Sequence, residues 1–113
     1  MRRGLPITPI DVENELMRIV DELESETEAF EELAIDEAKK TAIYDSEWAS
    51  EYLAAQGAIR QREAWADWKT ETLNRQAKIA EALVRAKKEK LASLRAAIEA
   101  LRTIAANVRI QTQ

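Results

Sequence analysis

The sequence contains no cysteine and no histidine among its 113 residues. Without cysteine the chain has no disulfide, no thiolate metal site and no cysteine nucleophile. Without histidine it lacks the commonest general base and the commonest metal ligand. No segment carries the closely spaced Asp and Asn residues of a calcium loop or the glycine-rich loop that cradles phosphate. We therefore expect a protein that is not an enzyme, binds no metal and requires no cofactor.

Glycine and proline are also scarce, with two of each. Abundant Ala, Glu, Lys and Leu, with few β-branched residues, favour an all-helical protein of one domain over residues 1–113. The apolar runs are only a few residues long, so we expect no transmembrane span and no contact with a membrane. The basic start Met1-Arg2-Arg3 is not followed by the apolar region of a signal peptide, which favours a cytoplasmic location.

The net charge of −4 conceals a strong asymmetry between the two halves of the chain. Residues 1–50 contain 14 acidic and 5 basic residues, whereas residues 51–113 contain 7 acidic and 12 basic residues. Such polarity is typical of two helices that attract each other, or of a basic segment that binds a polyanion.

Turn and cap residues place two long helices. Thr8 is a suitable N-cap and Pro9 suits the first helical position, so the first helix is expected over about 9–56. Gly57 suits a left-handed residue that ends this helix, and the second helix is expected over about 59–107. Residues 1–7 then form an extended lead and residues 108–113 a frayed tail. The two helices are predicted to form an antiparallel, coiled-coil-like hairpin.

Apolar residues recur at alternating spacings of four and three on both helices, which indicates a seam against another helix. The first helix contributes Leu16, Ile19, Leu23 and Phe30, and the second contributes Leu73, Val84, Leu91, Leu94, Ile98, Leu101 and Val108. Further apolar residues beside this seam, such as Leu83 and Ile104, exceed what one partner helix can cover. We therefore expect a homo-oligomer, either a bundle or a ring.

Basic residues repeat every seven positions beside the seam, and we call Lys88, Arg95, Arg102 and Arg109 the cationic stripe. In a hairpin closed at Gly57 the stripe faces the acidic first helix, so it either pairs with carboxylates or forms a track for phosphates. A denser basic cluster, which we define as Arg85, Lys87, Lys88 and Lys90, exceeds what helix pairing requires. Lys87 itself occupies a seam position and is expected to specify register or oligomeric state.

Five of the six aromatic residues flank Gly57 on both sides: Tyr44, Trp48, Tyr52, Trp65 and Trp68. One interpretation is a small aromatic core that closes the hairpin. The other adds Arg60 and Arg62, because aromatic faces beside guanidinium groups suit the stacking of single-stranded nucleic acid. On the second interpretation, the candidate nucleic-acid-binding residues are Arg60, Arg62, Trp65 and Trp68 together with the basic cluster.

The order of these features resembles the UvsY-type recombination mediators of tailed phages. An acidic heptad helix is followed by YDSEWASEYLAAQG at 44–57 and by the basic helix AEALVRAKKEKLASLRAAIEALRTIAANVR at 80–109. The resemblance implies a phage protein in the infected host cell that binds single-stranded DNA and assembles into ring-like oligomers. It also implies that a recombinase is loaded onto strands covered by single-strand-binding protein. The mediators carry basic residues just before the turn, where this chain has Ala49 and Glu51, so DNA contact is expected at Arg60, Arg62 and 85–90.

Two other functions fit the same pattern. Small phage scaffolds and assembly chaperones also combine long acidic helices with a basic C-terminal segment, which favours a structural or interaction protein. A phage protein that binds a host factor is the third possibility.

Overall fold

A computed structural model of the chain describes residues 6–112, with side chains for residues 6–110. Every regular element in this part of the chain is helical: α1 covers Pro9–Ala54, α2 covers Ile59–Lys69 and α3 covers Glu71–Thr112. The expectation of an all-helical protein is confirmed. Within the described range, no helix has both the length and the hydropathy that crossing a bilayer requires.

The start of α1 agrees with the sequence prediction. The Asp11 backbone N–H donates to Thr8 Oγ1 at 3.2 Å, and the Thr8 N–H donates to Asp11 Oδ2 at 3.0 Å. This reciprocal arrangement satisfies donors that the first turn of a helix leaves unpaired, while Pro9 has no N–H to satisfy. Most of the predicted extended lead at 1–7 lies outside the described residues.

The prediction of one uninterrupted second helix is wrong, because Thr70 separates α2 from α3. Thr70 has φ −107° and ψ 15°, and both its N–H and its hydroxyl donate to the Ala66 carbonyl, at 3.0 and 2.6 Å. Its own carbonyl accepts from the Asn74 N–H at 2.9 Å. A threonine hydroxyl bonded to the carbonyl four residues earlier often bends a helix. The side chain is 2% exposed, so this bond is protected from water.

The predicted end of the second helix at residue 107 is also wrong. α3 continues to Thr112, and Val108, which was placed in a frayed tail, is only 6% exposed. Burial of Val108, the last seam residue, stabilises the final turn of α3, which the polar residues at the end of the sequence would not stabilise without packing. Gln113 lies outside the described residues.

The helices divide into two compact units, and the first unit comprises the described residues of Met1–Ala29 and Lys88–Gln113. Its core is a contact of Ile19 on α1 with Leu94 and Ile98 on α3. Four partly buried residues pack against this core: Leu16, Leu23, Ala97 and Leu101. The helices run in opposite directions here, since Glu22 pairs with Lys90 at 3.2 Å while the earlier Val12 shares a cleft with the later Leu101.

The second unit is Phe30–Lys87, and its buried residues are mostly small. Ala66, Ala77 and Ala80 are buried with Val84 and Thr70, whereas the larger seam residues Phe30 and Leu73 are half-buried. Small buried side chains allow close approach of helices but remove little apolar area from water. In the first unit, by contrast, large seam residues are buried, and these include Leu91 and Val108. The apolar contact along the predicted seam is therefore wider in the first unit than in the second.

Ion pairs on the surface of α1 are local. Arg18 lies 2.9 Å from Glu15 and 3.5 Å from Glu22 on the same helix. The hydrogen bond from Arg18, followed by its positive charge, holds the pKa of the Glu15 carboxyl below its ordinary value. Exposed ion pairs of this kind contribute little to the free energy of folding, so most of the stability comes from the apolar contacts.

We expect Leu94→Ala to lower the free energy of unfolding by about 2–5 kcal/mol, because it leaves a cavity in the core of the first unit. Leu53→Ala is the matched control, since Leu53 is 80% exposed whereas Leu94 is 7% exposed. The control should change stability by no more than about 0.5 kcal/mol. Urea unfolding followed by circular dichroism measures both, and equal effects of the two variants would contradict the assigned core.

Candidate nucleic-acid interface

The connection between α1 and α2 depends on one glycine. Gly57 has φ 117°, a backbone conformation that side-chain-bearing residues rarely adopt. Ala58, the N-cap of α2, has no side-chain acceptor, and instead its own N–H donates to Gln61 Oε1 at 3.2 Å. A Cβ at position 57 would collide with that same Gln61 oxygen. Gly57 therefore permits both the left-handed turn and the hydrogen bond that begins α2.

Two reciprocal hydrogen bonds join α1 to α2 within the second unit. Trp48 Nε1 of α1 donates to Asp67 Oδ1 of α2 at 2.8 Å, and Trp65 Nε1 of α2 donates to Glu51 Oε2 of α1 at 3.0 Å. Each helix thus supplies one indole and one carboxylate. Because residue 48 contacts residue 67 while residue 51 contacts residue 65, the two helices run antiparallel here.

The aromatic residues of α1 form a stack that supports this contact. Trp48 and Tyr52 have ring centroids 5.3 Å apart and planes 12° apart. The Arg62 guanidinium lies 6.0 Å from the Tyr52 ring centroid, and its buried Nε has no hydrogen-bond partner. All three side chains are half-buried. This part of the cluster is the aromatic core that the first interpretation predicts, and Arg62 belongs to it.

The aromatic residues of α2 face solvent to a greater extent. Trp65 is 42% exposed and Trp68 is 66% exposed, with ring centroids 5.5 Å apart and planes 50° apart. The Lys69 ammonium lies 5.2 Å from the Trp65 centroid and 5.6 Å from the Trp68 centroid, within range of a cation–π interaction. We call Trp65, Trp68 and Lys69 the indole–lysine group. It offers open indole surface beside a positive charge.

Sequence reasoning missed Lys69. Its position next to Trp68 was visible in the sequence, but it lies outside both the cationic stripe and the basic cluster. Only the approach of its ammonium to two rings shows that it belongs with them.

The basic cluster is largely engaged by carboxylates. Arg85 pairs with Glu81 on its own helix at 3.4 Å, and Lys90 pairs with Glu22 of α1 at 3.2 Å. Lys87 is half-buried, as its seam position requires. Lys88 and Arg60 are exposed, and neither forms an ion pair with another of the described residues. These two residues and Lys69 are the cations best placed to meet a ligand.

The cationic stripe pairs with the acidic helix less than the sequence suggests. Arg102, which as part of the stripe was expected to face the acidic first helix, donates to Glu99 on its own helix at 2.8 Å. The ion pair that does join α3 to α1 in the first unit comes from Lys90, beside the stripe. Arg102 thus pairs within its own helix, whereas Lys90, beside the stripe, joins α3 to α1.

Among the described residues, no three acidic side chains lie close enough together to hold a metal ion. Comparison of the chain with models of protein families, with curated proteins and with solved structures finds no match.

We expect Gly57→Ala to destabilise the fold by about 1–3 kcal/mol, because alanine is strained at this φ and its Cβ displaces Gln61. The same substitution in a Gln61→Ala background separates the two causes, since the collision is then absent while the backbone strain persists. Urea unfolding of the four chains measures the difference. A Gly57→Ala protein as stable as the wild type would contradict the left-handed turn.

Proposed function

We propose that this protein is an oligomeric, non-enzymatic accessory factor of phage DNA recombination that binds single-stranded DNA. In this role it helps a recombinase to load onto strands held by a single-strand-binding protein. The helices form an antiparallel hairpin closed at Gly57, and several hairpins assemble. The resemblance to UvsY-type mediators supports the biological setting, and the indole–lysine group supports the ligand.

The observation that carries the proposal is the exposure of Trp68 with Lys69 beside it. A tryptophan with two thirds of its surface in water loses much of the free energy that burial would contribute. Stacking of one base on such a ring contributes about 1–3 kcal/mol and does not depend on base identity. The adjacent ammonium can neutralise the phosphate that accompanies the stacked base.

The neighbouring charges predict a modest affinity with strong salt dependence. Arg60, Lys69 and Lys88 attract phosphates, while the carboxylates Glu51 and Asp67 lie close to the indoles. Those two carboxylates accept indole N–H bonds, which disperses part of their negative charge. Each phosphate neutralised on a single strand lowers the slope of log affinity against log salt by about 0.7.

Binding of labelled oligothymidylate, measured by fluorescence anisotropy at low and moderate salt, tests the proposal. We expect Trp68→Ala to weaken binding by about 5- to 150-fold, the equivalent of one lost stacking contact. Ile59→Ala is the matched control, because Ile59 lies on the same helix and is 63% exposed. This control should bind as the wild type does, and circular dichroism should show equal helicity in all three proteins.

Several results would reject the DNA contact: no binding at low salt, binding that does not respond to salt, or equal loss in the Ile59→Ala control. The substitution Lys88→Glu adds a second readout. We expect weaker DNA binding with an unchanged oligomer if Lys88 meets phosphate.

The second candidate is a structural or interaction protein of the scaffold or assembly-chaperone type. It is favoured by large apolar side chains exposed on the second unit, among them Ile35, Ile43, Leu53, Ile79 and Leu83. Apolar residues at such density on a helical surface are typical of contact sites for other proteins. Loss of the oligomer in Lys88→Glu without any change in DNA binding would favour this candidate. A protein that binds a host factor is the third proposal.

A further inference from the structure

An apolar groove with charged edges runs along the first unit. At one end it is a cleft of about 400 Å³ lined by Val12, Leu16, Ala105 and other residues. At the other end it is a cleft of about 430 Å³ lined by Leu23 and Ile98 between charged residues. Both clefts open beside the row Arg95, Arg102 and Arg109 of α3, so they belong to the same side of the helix pair. We call this surface the arginine-edged groove.

The two edges of the groove carry opposite charges. The α3 edge is the row of three arginines together with Glu99, which lines the second cleft and pairs with Arg102 at 2.8 Å, so this edge is basic on balance. The α1 edge begins at Glu13, which lines the first cleft, and continues at spacings of four, three and four through Met17, Val20 and Glu24. Acidic residues thus stand at both ends of the α1 edge, and arginines stand along the facing α3 edge.

The apolar part of this surface is not covered within the first unit. Met17 is 62% exposed and Val20 is 39% exposed, although both lie between the acidic residues of the α1 edge. The groove floor beside them is formed by core residues, including Leu16, Leu23 and Ile98. A partner that fits must be apolar along its centre, basic on one side and acidic on the other.

We propose that the arginine-edged groove binds the same groove of a second copy of this chain, forming a four-helix contact around a two-fold axis. This inference rests on the assembly put forward under the proposed function and names the surface that makes it. A two-fold interface brings a surface onto itself, so it requires self-complementary charge. A groove with one acidic and one basic edge meets that requirement.

The charges also select the arrangement of the two copies. When the two-fold axis lies along the helices, α1 of one copy covers α3 of the other, and the row from Glu13 to Glu24 faces the arginines. When the axis lies across the helices, α1 covers α1 and α3 covers α3, which brings like charges together.

The available area is enough for a weak but specific dimer. The α1 segment of the groove runs from Pro9 to Glu24 and is about 24 Å long, and two helices side by side are about 20 Å wide. Each copy therefore contributes about 500 Å², and the total of about 1,000 Å² is the size of a weak, transient association.

Paired charge reversals test this inference without any DNA. One variant combines Glu13→Lys with Glu24→Lys, which makes both edges basic. The other combines Arg95→Glu with Arg102→Glu, which makes both edges acidic. Alone, each variant should associate about 100-fold more weakly than the wild type, because like charges face each other across the axis. Mixed in equal amounts, they should form a heterodimer, because every facing edge is again complementary.

Native mass spectrometry resolves the outcomes, since the wild-type monomer is 12.8 kDa and the variants differ in mass. The matched control is Arg75→Glu with Lys78→Glu, which also reverses the charge of two basic residues of α3 but lies away from the groove. This control should associate as the wild type does. Circular dichroism confirms that each variant is helical.

Disulfide trapping adds an independent readout, because the chain has no cysteine of its own. Val20→Cys in one copy and Arg95→Cys in another should form a mixed disulfide, because Ile19 packs between Leu94 and Ile98 and residue 20 is therefore level with about residue 95. The proposal is overturned by a wild type that stays monomeric at high micromolar concentration or associates only when DNA is added. It is equally overturned by variants that do not recover association when mixed, or by trapping of Val20→Cys with itself alone.

Discussion

The contact of Ile19 with Leu94 and Ile98 is the interaction on which the first unit depends. Each helix buries essentially one row of side chains there, and two helices have no third layer to cover their remaining faces. Apolar residues outside the row, such as Met17, are therefore left in water. This constraint bears on function, because a helix that buries a single row of side chains leaves its other side chains exposed and able to contact a partner.

The aromatic residues near Gly57 divide into two groups with different physical roles. Trp48 and Tyr52 stack on each other, and the Trp48 N–H is bonded across to α2, so these rings hold the helices together. Trp68 is mostly exposed and has a lysine at its face. Trp65 lies between the two groups, since its N–H is bonded to Glu51 while part of its ring is open. The half-buried rings thus hold together the two helices from which the exposed rings project.

The charges show a similar division. Many arginines and lysines are paired within a turn of their own helix, as Arg102 is with Glu99, and these pairs are exposed and weak. Lys90 with Glu22 is different, because it joins two helices. Within the cationic stripe, Lys88 is exposed and forms no ion pair with the described residues. On the first unit that stripe borders an apolar groove, which favours a protein partner there over a bare polyanion.

Local patterns in the sequence determined the helical class, the Thr8 and Pro9 start, the turn at Gly57 and the apolar rows, because each depends on neighbours within a few positions. The break at Thr70 was not predictable in this way, since Thr27 and Thr103 make the same bond to the carbonyl four residues earlier within continuous helices. Thr70 differs from both in being buried by tertiary packing. The same holds for the candidate site. Residue types indicated an aromatic and basic surface around Gly57, but only tertiary packing decided that Arg62 lies against Tyr52, that Lys69 meets two indoles, and that Trp68 stays exposed. Those outcomes depend on which face of each helix is buried, and that choice is made by the partner helix rather than by the residue itself.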